Sequence, residues 1–183
     1  LFIEGAYKGP GGDFQVLKDY LVGRMLWHPQ PTIVDANNAT QLSDTEELSS
    51  FLEGYYGPAA EHILAYLELI HDAVEQTDDH LGLSSRPGAE FQTFLMLNEA
   101  WGHMQQAEQA VVDESKLRVR VRLQWVPVLF EFMYEWDRLK REAEAAGIAW
   151  PFEGTQKDLH GRVAKMAGEH GLDFGEQASP FAF

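Results

Sequence analysis

Three groups of residues have types and spacings that could do chemistry. Glu4 ends the apolar run Leu1-Phe2-Ile3 and is followed by Gly5, Ala6 and Tyr7, then the glycine-rich stretch Lys8 to Gly12. A short apolar run closed by a carboxylate and a glycine turn is the sequence form of a buried parallel strand entering its loop, and in (β/α) barrels that strand end faces the substrate. His71, Asp72, Asp78, Asp79 and His80 hold metal-ligand side chains near one another in sequence. No His-x-x-x-His pair lies within the helix, however, and acidic residues at a helix end are ordinarily solvated, so no metal site is expected. Glu99 and His103 are four apart beside Trp101, which is ordinary pairing on a helix face rather than a catalytic dyad.

Other signatures fall away on inspection. Gly9-Pro10-Gly11-Gly12 precedes a helix, but no Lys-Ser/Thr ending follows, so it reads as a turn and not as a phosphate cradle. No serine sits in a Gly-x-Ser-x-Gly elbow. The absence of cysteine excludes disulfides, thiolate metal sites and a cysteine nucleophile. Nothing in the pattern calls for a cofactor.

The chain carries a formal net charge of −15, which argues against nucleic acid as a partner, since that binding rests on neutralising phosphates with Lys and Arg. Of the fourteen basic residues, Lys116, Arg118, Arg120, Arg122, Arg138, Lys140 and Arg141 are clustered. They are expected to pair with acidic helices rather than to hold a polyanion. Hydrophobic residues make up 45% of the chain, with five Trp and eleven Phe, enough to build a core. No run reaches the roughly 18 apolar residues of a membrane span.

The elements that must position these groups are mostly helical. Asp13 is a candidate N-cap for a helix in which Phe14, Leu17, Leu21 and Met25 form a stripe up to Trp27. His28-Pro29 ends it, and residues 30–43 read as a loop. Asp44 with Glu47 has the capping-box spacing and predicts a short helix with Leu48, Phe51 and Leu52 inward. Tyr55-Tyr56-Gly57-Pro58 supplies a stop and the first turn of the next helix. There Ala60, Ile63, Leu64, Leu67, Ile70 and Val74 oppose Glu61, Glu68, Asp72 and Glu75. Phe91, Phe94, Leu95, Leu97, Trp101, Met104 and Ala107 mark another helix.

Residues 114–146 fit two patterns. Leu117, Val119, Val121, Leu123 and Trp125 alternate with polar residues as in a half-buried strand, whereas Val119, Leu123, Val126, Phe130 and Met133 fit a helix. Length favours one long helix, kinked or interrupted near Pro127, because proline is excluded from central strands. Gly147 closes it, and Thr155 caps a last helix with Leu159, Val163 and Met166 inward. Four-helix packing of 59–76, 91–112, 114–146 and 156–170 is the economical arrangement. Trp27, Trp101, Trp125 and Trp136 lie on stripes and are expected in the core, with Trp150 partly exposed.

Taken in order, Phe2-Ile3-Glu4-Gly5-Ala6-Tyr7, then Leu17-x-x-Tyr20-Leu21-x-x-Arg24-Met25-Leu26-Trp27-x-Pro29, then Phe51-x-x-Gly54-Tyr55-Tyr56-Gly57-x-Ala59-Ala60, carry a resemblance. The chain resembles the C-terminal part of a large bacterial family of uncharacterised glycoside-hydrolase-like proteins related to α-glucuronidases. The likeness covers roughly residues 1–75, and the stretch from Thr32 to Leu42 is longer than the family's link. Members of that family carry a catalytic (β/α)₈ barrel followed by a helical domain.

The resemblance implies a mainly α fold: a helical bundle following the last strand and helix of a barrel. Residues 1–30 would be the barrel remnant and residues 31–183 the α-helical domain. Glu4 would sit at the tip of the eighth strand, with Tyr7 and Lys8 on its loop, forming one wall of a sugar site. Glycoside hydrolysis commonly needs two carboxylates about 5 to 9.5 Å apart; only Glu4 is a candidate here, so the acid–base pair would lie on strands this chain lacks.

The chain begins inside the first element and is expected to be the back end of a larger protein. The implied partners are a carbohydrate substrate and the preceding barrel, with room for a homodimer and an extracellular or periplasmic location. The competing expectation is a stand-alone acidic helical bundle that binds a protein or a glycan.

Overall fold

A computed structural model describes residues 14–27, 39–77 and 88–169. The described elements are α1 (Gln15–Trp27), α2 (Ala39–Tyr56), a 3₁₀ turn (Gly57–Ala59), α3 (Ala60–Glu75), α4 (Phe94–Ala110), α5 (Ser115–Tyr134), α6 (Trp136–Ala146) and α7 (Gln156–Glu169). Among the described residues there is no strand, so the fold is mainly α. The segment expected to form a barrel strand, residues 1–7, lies outside the described residues, as does Asp13. α3 packs on α4, α4 on α5 and α5 on α7, while α2 lies against α3 and α5. The expected bundle of helices is therefore present.

Local chemistry sets most of the boundaries. Tyr56 ends α2, Gly57 turns in the left-handed region at φ 56°, and Pro58 opens the 3₁₀ turn into α3. Only glycine adopts that conformation without a steric penalty. In α3, Ile63 and Tyr66 are buried while Glu61, Glu68, Asp72 and Glu75 are exposed. Gly147, at φ 67°, closes α6. Its N–H reaches Glu144 O at 3.1 Å and the Ile148 N–H reaches Ala143 O at 3.0 Å, the paired bonds of a Schellman end. Thr155 caps α7 reciprocally: its Oγ1 accepts from the Asp158 N–H at 3.3 Å, and the Asp158 carboxylate accepts from the Thr155 N–H at 2.7 Å.

Several expectations need correction. α2 begins at Ala39, so Asp44 lies inside the helix and 39–43 is not loop; the Glu47 carboxylate is held by Tyr20 and Arg24 of α1. α4 begins at Phe94 and not Phe91, because Thr93 caps it by accepting from the Met96 N–H. Within α4, Leu95 is 58% exposed and stands outside the core stripe.

The longest segment is helical, as its length required, but its interruption falls at Glu135 and α5 passes through Pro127. At the break the free carbonyl of Met133 is met by the Gln156 side chain of α7 at 2.8 Å. Of the residues expected inward on α5, Val126 and Met133 are buried and Leu123 and Phe130 half-buried, but Val119 is exposed, and the buried face also takes in Val121, Trp125, Val128, Leu129 and Phe132.

The core at this end is aromatic. Trp101 meets Trp125 edge-on at 4.5 Å and Phe152 at 4.8 Å, and Trp136 meets Trp150 at 5.0 Å. Edge-to-face contacts suit the ring quadrupoles and add to the gain from burial itself. Trp125 and Trp136 are buried and Trp101 is half-buried, as core residues should be. Trp150 is half-buried, but its faces are taken by Phe94 and neighbouring rings. It is not free to stack on a sugar. Trp27's side chain lies outside the described residues.

Candidate functional site

Glu4, Tyr7 and Lys8 lie outside the described residues, as do Asp78, Asp79 and His80. His71 and Asp72 are exposed on α3, and among the described residues no group of three His, Cys, Asp or Glu side chains could hold a metal ion. Glu99 and His103 come to 4.0 Å along the α4 surface, with Glu99 exposed. That is a helix-face pair. Among the described residues, no helix is long and apolar enough to cross a membrane.

The structure brings together residues from two of the sequence motifs at the α1–α2 junction. Tyr20, on the second turn of α1, donates its hydroxyl to Glu47 Oε2 of α2 at 2.8 Å. Arg24, one turn further on, donates Nε to the same oxygen at 3.0 Å and its Nη2 to Glu47 Oε1, a two-pronged grip on one carboxylate. The hydrogen bond to Glu47 is the main cause that raises the Tyr20 hydroxyl above its ordinary pKa, and the same carboxylate raises Arg24 further. Under this polar layer the Tyr20 ring lies 4.9 Å from Phe51, which stacks on Tyr55 at 5.1 Å.

Tyr55 carries the contact onward to α5. The Arg120 guanidinium lies 4.2 Å from the Tyr55 ring centre and donates to the Tyr55 carbonyl at 2.7 Å. Cation and ring attract through the ring quadrupole, and the carbonyl is one that the end of α2 leaves without a helical partner. An open polar cleft of about 370 Å³, lined by Tyr20, Arg24, Glu46, Glu47 and Ser50, lies over the junction. Its guanidinium and the Glu47 carboxylate are committed to each other, so its chemistry is that of a joint and not of a proton-transfer pair.

A second polar cluster sits where the chain enters α4. Arg138 of α6 bridges Glu135 at 2.7 Å and Glu142 at 2.8 Å, and donates to the Gln92 carbonyl at 3.0 Å. The other Glu142 oxygen accepts the Phe94 N–H at 2.8 Å, placing negative charge at the start of α4 where the helix dipole favours it. Glu131 of α5 accepts the Gly88 N–H at 3.2 Å. Burial raises the Glu131 carboxyl above its ordinary pKa, and the nearby Glu135 charge pushes the same way, against the Gly88 and Gln92 hydrogen bonds. Sequence reasoning missed this group. Glu131, Glu135, Arg138 and Glu142 follow the +4, +3, +4 spacing of one helix face, a signal that becomes readable only once 114–146 is known to be helical.

Three members of the basic cluster, Arg118, Arg122 and Arg138, pair with carboxylates of the bundle. Glu108 of α4 accepts from Arg122 at 2.8 Å and from Arg118 at 3.2 Å. Partial burial alone would raise the Glu108 carboxyl, but the two arginines more than offset it and hold it below its ordinary value.

With this geometry the described residues form a mainly α bundle with a polar joint between α1 and α2 and a carboxylate cluster at the α5–α6 break. Compared with protein families, curated proteins and solved structures, the chain matches none.

Proposed function

We propose that this chain is the C-terminal helical part of a glycoside hydrolase acting on a polysaccharide or glycosyluronate. In this reading residues 1–30 supply the last strand, loop and helix of a catalytic (β/α)₈ barrel, and the helices after them support it. Glu4, Tyr7 and Lys8 form one wall of the sugar site, and the catalytic carboxylates belong to strands outside this chain.

One observation supports this reading most. Four of the described residues that carry the family likeness are Tyr20, Arg24, Phe51 and Tyr55. They meet at a single joint that fastens α1 to the bundle through Glu47 and Arg120. A barrel's closing helix held rigidly to the domain behind it is what a buttress requires, since a barrel site needs its strand ends fixed to within fractions of an ångström.

The test begins with the gene. The reading requires about 250 residues of alternating strands and helices encoded ahead of Leu1, and hydrolysis of an aryl glycoside or glycosyluronate by that longer protein. The 183-residue chain alone should give no turnover above a Glu4→Ala control. A gene that lacks such a region, together with saturable binding of a protein or glycan by the bundle alone, would replace the enzyme reading with the binding-module one.

A further inference from the structure

α5 is apolar on more than one side. Its inner face carries Val121, Trp125, Leu129 and Phe132, all buried. The helices packed on α5 use that side or its flanks. α4 reaches Trp125 through Trp101 and holds Arg118 and Arg122 on Glu108. α2 receives Arg120 at the Tyr55 carbonyl, and α7 sets Gln156 on the Met133 carbonyl. The opposite face is a second apolar stripe, Val119, Leu123, Pro127, Phe130 and Tyr134. Its spacing of +4, +4, +3 and +4 keeps all five within about a quarter-turn. Val119 is 39% exposed and Tyr134 45%, and the three between them are half-buried.

Two features of the stripe bear on what it meets. The Phe130 and Tyr134 rings lie nearly parallel with their centres 6.0 Å apart, which makes a flat plate on a rigid helix. Aromatic plates of that kind are enriched at the centres of protein interfaces. The second feature is order. Val119 and Tyr134 mark the ends, Leu123 and Phe130 lie equally far inside them, and Pro127 stands next to the midpoint. A stripe so spaced matches itself when turned end for end. Val119 then meets Tyr134 of the second copy and Leu123 meets its Phe130, a branched side chain against a ring each time. Every contact occurs twice, as an isologous two-fold interface requires.

Charge fixes the direction. The first turns of α5 carry Lys116, Arg118, Arg120 and Arg122, whereas its far end and the start of α6 carry Glu131, Glu135 and Asp137. Parallel copies would set like charge against like. Antiparallel copies set the basic end against the acidic one, and the exposed Lys116 falls opposite the exposed Asp137 in the register that joins Val119 to Tyr134. The net charge of −15 repels two copies at a distance, so a lasting contact needs local complementarity of this kind. We propose that the chain associates with a second copy of itself through this stripe, α5 against α5 and antiparallel, about a two-fold axis beside Pro127.

Two measurements on the 183-residue chain test it. Because the chain has no cysteine, introduced ones report the register directly. Val119 and Tyr134 stand about 22 Å apart along one helix, too far for a disulfide within a chain. With glutathione disulfide as oxidant, Val119→Cys/Tyr134→Cys should give a covalent dimer, while each single variant keeps the size of one chain. In sedimentation equilibrium the wild-type chain should show a concentration-dependent mixture of monomer and dimer. Lys116→Asp and Asp137→Lys alter exposed positions and should each raise the dissociation constant about three- to tenfold. The two combined, which exchange the members of each ion pair, should restore it. A wild-type chain that stays monomeric up to its solubility limit would overturn the proposal. So would a double-cysteine variant that fails to crosslink, single variants that crosslink as readily, or charge reversals whose effects add instead of cancelling.

Discussion

Tyr20 and Glu47, 27 residues apart in sequence, are joined by a 2.8 Å hydrogen bond that holds α1, the first of the described helices, to the bundle. Arg24 doubles the attachment on the same carboxylate, and the phenyl ring of Phe51 supports it from beneath. The Arg24 contacts are exposed and the Tyr20 one half-buried, so they fix direction more than they add stability, whereas the apolar layer supplies the energy.

Phe51 is accordingly the residue whose loss should open the joint. It is only 9% exposed and touches the rings of Tyr20, Tyr55 and Tyr56. Phe51→Ala should destabilise the chain by about 3–5 kcal/mol, measured by urea unfolding. It should also speed proteolysis between α1 and α2. A loss under about 1 kcal/mol would mean that α1 is not anchored there.

Gly54 and Gly57, three residues apart, should respond to alanine with opposite signs. Gly54 is inside α2 with nothing near its missing Cβ, so Gly54→Ala should stabilise by about 0.4–1 kcal/mol. Gly57 turns at φ 56°, and a Cβ would meet Leu117 Cδ1 at 2.7 Å. That contact is the movable end of a side chain, so most of the cost is conformational, about 1–2 kcal/mol for Gly57→Ala. Equal shifts in the two variants would contradict the turn.

The helices with one clean stripe, α3 and α7, were legible in the sequence, as were the ends at Gly57-Pro58 and Gly147, because each rests on local chemistry. Features set by distant partners were not. The Asp44–Glu47 spacing suggested a helix start, but Glu47 is drawn away by Tyr20 and Arg24 of another helix. Pro127 is the local breaker of the long helix, yet the break lies at Glu135, where Arg138 holds the Glu135 carboxylate and Gln156 receives the Met133 carbonyl. Val119 fits a helical stripe as well as Val121 does; only packing against α4 and α7 decides between them. The carboxylate cluster was hidden for the same reason, since Gly88 and Gln92 reach it across 43 and 46 residues through Glu131 and Arg138. Glu4, Tyr7 and Lys8 lie outside the described residues.

Glu108 should give the ordinary acid response. Its carboxyl is held below the usual value of 4.5 in the folded chain. The stability it contributes is therefore complete at neutral pH and is lost as pH falls below 4.5 through the folded-state value. Because the pair is largely solvent-screened, Glu108→Gln should lower Tm by about 1–3 °C near neutral pH, with the difference closing in stronger acid. A difference that persists unchanged in acid would show that Glu108 acts by packing.

The most direct measurement is the kinetics of Glu4→Gln in the longer, barrel-bearing protein that the proposed function requires, with Tm recorded on the same samples. The change is isosteric, so Tm should hold, while kcat/KM for a glycosyluronate or aryl glycoside should fall about ten- to a hundredfold. That is the loss expected for one charged hydrogen bond to a sugar hydroxyl, about 1.5–3 kcal/mol. A loss near a millionfold would make Glu4 a catalytic group. Unchanged kinetics with a lowered Tm would contradict its placement at the sugar site.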